Sequence, residues 1–349
     1  MSANSVPALE YPQHPSIKRT SFAQALVCKS RGGVRRCFGL VEAYGFQNRG
    51  LGVLRTSGKR FDIELLPPGA QVAATPTKSS ANIRQRNLAR KGGFLDEVVF
   101  LARTDNEEDL AWLDGLVARE PAYTRKNLQF DGIDYTTAYD ICENGTMYIK
   151  MDDDLVFIED HAIATIAKKK LEHPEYFAVA ANVVNQPSLS WIHYRLGVVK
   201  PYFPELTRAS PGQKETPIAT TSFDAFSQGL WHWQVAAQQH YSFLGHLEEN
   251  DLWKYKFDTL DYHFMRMGIQ MMAIWGEDVI ASEIHNGNGD DEYHFTEVMT
   301  KRTGRHAVVD GRALVSHYTF LPQRSGLAAT DILQRYRAFA DENICPGIG

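Results

Sequence analysis

Three consecutive carboxylates, Asp152-Asp153-Asp154, follow the apolar stretch Thr146-Met147-Tyr148-Ile149-Lys150-Met151. Adjacent carboxylates repel one another and are costly to hold together unless a cation neutralises them. Side chains alternate along an extended chain, so Asp152 and Asp154 can point to one side. That pair suits a divalent ion carrying diphosphate oxygens, and oxygen ligands favour Mg²⁺ or Mn²⁺. A strand that ends in these residues delivers them to the edge where open α/β sheets bind ligands. The plainer alternative is a solvated acidic turn, with Asp154 near the next helix.

His317 follows the apolar run Ala313–Ser316 and precedes Tyr318, Phe320, Gln323 and Arg324. A neutral imidazole there can complete a carboxylate-rich metal shell; a core histidine with a satisfied ring is the alternative. The planar fork of Arg324 suits a phosphate oxygen or a structural ion pair. Gly276-Glu277-Asp278, after the run Met271–Trp275, is a second acidic focus, and Asp290-Asp291-Glu292 is a third. His161, His232, His240 and His263 read as helix surface or packing. Trp191, Tyr194, Tyr202, Phe203, Trp231 and Trp233 either stack on a flat ligand or belong to the core. No Ser-His-Asp arrangement, P-loop or HExxH is present.

These residues need a scaffold, and the hydrophobic pattern supplies one. Strands are expected at Ala70–Thr75, Asp96–Ala102, Thr146–Lys150, Tyr176–Asn182, Met271–Trp275 and Ala313–Ser316. Helices are expected at Ser79–Lys91, Asn106–Arg119, Tyr135–Cys142, Glu159–Lys170, 231–256 and Ala329–Ala340. Residues 186–229, rich in Pro, Ser, Thr and aromatics, read as loops over a site. Strand and helix alternate from residue 70, which predicts an α/β domain with a mostly parallel sheet covered on both faces. The break at Pro67-Pro68-Gly69 sets off an irregular basic extension, 1–68, from a domain spanning 69–345.

The segment YIKMDDDLVFIED resembles the acidic metal-binding motif of glycosyltransferases with the nucleotide-diphospho-sugar transferase (GT-A type, Rossmann-like) fold. FLDEVVFLARTDNEEDLAWLDGLV, MAIWGEDV and VSHYTFLPQR are similar to further segments of that family in the same order, over roughly residues 70–340. The resemblance implies a Mn²⁺- or Mg²⁺-dependent transferase with a UDP-sugar donor and a carbohydrate or other hydroxyl-bearing acceptor. It also implies a division of the domain into a nucleotide-sugar half, 69–185, and an acceptor half, 186–345. Asp152 would lie toward ribose or metal, Asp154 would bind the metal with His317, and Asp153 would contact ribose or sugar. Thr104 and Asp105 would lie near the base, unless they cap the following helix. Asp278 would be the general base of an inverting transfer, with Glu277 as substitute, unless they too serve as a cap. Asp290–Glu292 would be an acceptor-side lid, a competing base or a solvated loop.

Composition narrows the field. The chain has 349 residues, with 44% hydrophobic and 23% charged, a globular balance. Its 37 Lys/Arg against 42 Asp/Glu give −5, without the global signature of a nucleic-acid binder. Residues 1–100 hold 15 basic and 6 acidic residues, a net of +9, and the rest hold 22 and 36, a net of −14. A basic arm on an acidic body fits this, as does contact with an anionic surface or phosphate-bearing ligand. Cys28, Cys37, Cys142 and Cys345 contain no CxxC pair, and read as mostly free thiols of a reducing compartment. No signal-peptide core and no apolar run of about 18 residues is visible, so a cytoplasmic location is expected. The competing readings are a nucleotidyltransferase or phosphotransferase on a similar sheet, and a non-catalytic carbohydrate-binding protein.

Overall fold

The computed structural model describes residues 23–24, 51–52, 87–89, 93–128, 135–199, 228–287 and 289–343. The strand expected at Ala70–Thr75, most of the helix expected at Ser79–Lys91 and the boundary near residue 69 lie outside them. Ten strands are described: β1 Ala23–Gln24, β2 Leu51–Gly52, β3 Val98–Ala102, β4 Tyr123–Asn127, β5 Met147–Asp152, β6 Leu155–Ile158, β7 Ala178–Val184, β8 Thr259–Asp261, β9 Met271–Trp275 and β10 Ala307–His317. The principal helices are α1 Glu107–Val117, α2 Ala162–Glu172, α3 Pro187–Arg195, α4 Trp233–Glu248, α5 Gly276–Ile280 and α6 Ile332–Asn343. No described helix is long and apolar enough to cross a membrane.

The result is an α/β domain with a mixed central sheet. Seven strands form it in the order β2-β5-β9-β7-β10-β6, with β8 also on β10, while β1-β3-β4 form a smaller sheet. The expectation of a mostly parallel sheet is corrected here. In the seven-stranded sheet β7–β10 is the parallel pair among the described strands, and every other pairing is antiparallel. The reason is β9, which inserts antiparallel between the co-directed β5 and β7. A continuous apolar run such as Met271–Trp275 reports burial on both faces and is silent about direction.

Helices cover the sheet through their apolar stripes. In α2 the buried positions Ala162, Ile163, Ile166, Ala167 and Lys170 recur at helical spacing, and the helix packs on β7, β9 and β10. In α1, Asn106 caps the N-terminus by accepting from the Glu108 and Asp109 N–H groups. Residues 186–195, expected as loop, instead form α3, where Gln186 caps the Leu189 N–H and Pro187 occupies the first turn.

At the centre of the sheet, β7 is buried along its whole length. Its one polar side chain, Asn182, donates to the carbonyls of Tyr255 at 2.9 Å and Gly311 at 3.0 Å. Gly311 lies in the register shift of β10, where a Cβ would stand 2.3 Å from the Phe257 ring. Asn182 Oδ1 also lies 2.7 Å from His193 Nε2 on α3. Burial holds the His193 imidazole down at about 3 and that of His240 on α4 at about 4. An unfolded histidine titrates near 6.5. Both contributions are therefore fully present above pH 6.5 and are lost as pH falls toward those values, because the unfolded chain takes up the protons. Together they are expected to remove about 4 kcal/mol between pH 7 and pH 5. Urea unfolding across that range checks this, and His193→Gln should flatten the slope.

Candidate metal site

β5 ends at Asp152 and β6 begins at Leu155, but the two strands are not neighbours in the sheet. The chain leaves β9 at Asp152 and joins β10 at Leu155, with β7 lying between those two partners. Asp153 and Asp154 make this crossing, and Asp154 comes to the C-terminal end of β10. The expectation of a parallel strand carrying the motif is corrected: β5 runs antiparallel to both of its neighbours.

His317 arrives as the last residue of β10, paired opposite Leu155. The Tyr318 N–H donates to the Asp154 carbonyl at 2.8 Å. His317 Nε2 lies 2.9 Å from Asp154 Oδ1, and the ring packs against Phe320 at 4.5 Å. A buried polar network fixes this loop. Asn185 Nδ2 donates to the Tyr318 carbonyl and to Gln323 Oε1, each at 3.0 Å. His240 Nε2 donates to the Tyr318 carbonyl at 2.9 Å, and the Phe320 N–H donates to Gln323 Oε1 at 2.9 Å.

One ligand atom from each of Asp152, Asp154 and His317 lies within 4.8 Å of the other two. Divalent ions sit about 2.0–2.6 Å from their ligands, so atoms about 4–5 Å apart can share one ion. Two carboxylates and an imidazole are a donor set that could hold Mn²⁺ or Mg²⁺. A cationic group already stands here: the Lys150 ammonium, on a side chain buried within β5, pairs with Asp152 Oδ1. Burial opposes the charge on Lys150, but Asp152 and Asp291 outweigh it and hold the ammonium above its usual range. Burial pushes the Asp152 carboxyl up against the pull of Lys150 and His317. Burial and then the neighbouring Asp154 and Asp152 push Asp153 well up, with Arg324 opposing them. Burial likewise disfavours the His317 imidazolium, but the charge and hydrogen bond of Asp154 win and raise it.

The acidic group at 290–292 shares this side of the sheet. Asp291 and Glu292 both act on the Lys150 ammonium. Asp291 accepts from the Tyr139 hydroxyl at 2.8 Å. Asp290 is occupied: it caps the Tyr293 N–H at 2.9 Å and takes Arg266 Nη1 at 2.8 Å and Nη2 at 3.0 Å. Glu292 takes Arg266 Nε at 2.7 Å, yet burial holds its carboxyl up at about 7.

The structure does not bring Glu277 and Asp278 to this site. In the antiparallel β5–β9 pair, Met147 faces Trp275 and Met151 faces Met271. Helix α5, directly after β9, therefore lies at the start of β5, roughly 15 Å or more from Asp152 at about 3.4 Å per residue. There Asp278 binds Arg305 through both oxygens, at 2.5 and 3.0 Å, and lies 3.7 Å from Lys170 Nζ. Glu277 Oε2 accepts from the Gly145 N–H at 3.0 Å. Gly276 permits a close backbone approach, since a Cβ would stand 2.0 Å from the Glu143 carbonyl oxygen. Asp278 and Glu277 thus lie at the opposite end of β5 from Asp152, each with a structural partner of its own. Thr104 and Asp105 follow β3. The Thr104 hydroxyl accepts from the Asn106 N–H at 2.9 Å and so belongs to the start of α1, and Asp105 is exposed beside it.

Lys150, Tyr139 and Arg266 did not emerge from sequence reasoning. For Lys150 a signal existed: it lies two residues before Asp152 in an extended run, and hence on the same face. Tyr139 and Arg266 reach the site only through tertiary packing. No family model matches the chain, and neither a curated protein nor a solved structure matches it.

Proposed function

We propose that this chain is a divalent-metal-dependent glycosyltransferase of the GT-A type, moving a sugar from a UDP-sugar to a hydroxyl-bearing acceptor. The observation that carries the reading is the convergence of Asp152, Asp154 and His317, from two distant segments, within 4.8 Å at the C-terminal edge of β5. These three residues would hold Mn²⁺ or Mg²⁺, and such an ion supplies charge stabilisation to a departing diphosphate. Asp153 and Arg324, which act on one another electrostatically, would lie on the donor side. There the guanidinium of Arg324 would orient a phosphate oxygen. On the acceptor side Asp291 and Glu292 would act in place of Asp278. Glu292, with its carboxyl near 7, is the better matched to accept a hydroxyl proton at neutral pH. Tyr139 would orient Asp291.

The test is an incubation with UDP-sugars and mixed hydroxyl acceptors, with Mn²⁺ and with chelator. Metal-dependent release of UDP together with a glycosylated acceptor is expected. Transfer of label from the α-phosphate to the acceptor would instead establish a nucleotidyltransferase and overturn the reading.

A further inference from the structure

We propose a second metal site, for Zn²⁺ or a similar borderline transition ion, formed by Asp261, His263 and His306. It lies at the other end of β10 from His317. β10 runs beside β7 from the Ala307–Ala178 pair to the Ser316–Val184 pair, so at about 3.3 Å per residue of β7 the two places are roughly 20–25 Å apart.

One ligand atom from each of the three residues lies within 4.8 Å of the others. Both imidazoles turn Nδ1 toward the same oxygen, Asp261 Oδ2: His306 as a close partner and His263 at 3.6 Å. The other oxygen, Oδ1, accepts from the His263 N–H at 2.8 Å and fixes the carboxylate plane. Arg305, next to His306, does not compete. Its guanidinium goes to Asp278 and to the carbonyls of Pro174 and Tyr176.

A tight turn carries His263. His263 and Phe264 have φ of 47° and 65°, and the Met265 N–H donates to the Tyr262 carbonyl at 3.0 Å. Two successive left-handed residues make a type I′ turn, where Asn-Gly is the favoured pair. L residues with larger side chains hold that conformation at a cost, and such strain persists where the surroundings enforce it. Here the turn places both side chains to use. His263 is brought over Asp261, and the Phe264 ring packs edge-on against His306 at 4.3 Å.

Two imidazole nitrogens and one carboxylate oxygen select Zn²⁺, Cu²⁺ or Ni²⁺ over Mg²⁺. Three protein ligands leave a position open to water. The His263 side chain is 74% exposed, so the site loads from bulk solvent. β8 is a three-residue strand paired only to β10 among the described strands, and a bound ion would clamp its turn to the start of β10.

The experiment is titration with Zn²⁺ alone, by calorimetry and by Co²⁺ visible absorption. It is run in an Asp154→Asn background, so that the site at His317 does not contribute. One equivalent should bind, and His263→Gly should weaken it at least tenfold. Glycine suits the left-handed turn, so this variant should fold as well as its parent. His306→Gln should give the same loss. Unchanged zinc affinity in both variants, or no tetrahedral cobalt band in the parent, would overturn the proposal.

Discussion

Asp154→Asn is expected to cut metal-dependent turnover by about 10³-fold or more while the fold stays intact. The carboxylate offers one of three ligand atoms within 4.8 Å, alongside Asp152 and His317. On the proposed reading, losing one anionic ligand would weaken both metal retention and the neutralisation of a departing diphosphate, an effect of several kcal/mol. Each 1.36 kcal/mol corresponds to a factor of ten. Asparagine keeps the shape, and the backbone link from the Tyr318 N–H to the Asp154 carbonyl remains. Steady-state turnover against Mn²⁺ concentration, with the thermal midpoint as control, makes the check. Wild-type turnover in the variant would remove Asp154 from the site.

Asp278→Asn should act on stability. Lys170 is fully buried, donates to the Tyr176 carbonyl at 2.6 Å and has Asp278 at 3.7 Å. Burial already holds its ammonium down at about 8. Removing one partner of a buried pair leaves an uncompensated charge and typically costs about 3 kcal/mol or more. The bidentate contact with Arg305 is lost as well. A fall in thermal midpoint of roughly 5–10 °C is expected for a domain of this size. Lys170→Met in the same chain should recover much of it, because an apolar side chain needs no counter-charge. Turnover per folded molecule should hardly change. A normal midpoint with a collapsed turnover would return Asp278 to the chemistry.

The acidic motif was legible in the sequence because its chemistry is local: an apolar run followed by adjacent carboxylates stands out without knowledge of the rest. The strands at Met147–Asp152, Ala178–Val184 and Met271–Trp275 were legible as buried runs. Their directions were not, and direction decides at which end of the sheet Asp278 lies. An antiparallel β9 sends the turn after it to the far edge and brings Arg266–Gln270, before it, to the site edge; the Asp152 N–H donates to the Gln270 carbonyl at 2.8 Å. His317 was found because it sits at the end of an apolar strand. Tyr139 and Arg266 carry no local pattern, and only packing brings them to Asp291, Asp290 and Glu292. The pairing of His263 with His306 was hidden for a similar reason. They are far apart in sequence, and they meet because β8 pairs with the start of β10.

The most direct measurement is anomalous diffraction at the manganese edge from a crystal soaked with Mn²⁺ and UDP. One strong peak is expected, bound by Asp152, Asp154 and His317, with the UDP diphosphate on its open side and the Lys150 ammonium displaced from Asp152. Density for UDP without that peak, or manganese only at Asp261, His263 and His306, would contradict a metal-dependent transferase built on the acidic turn.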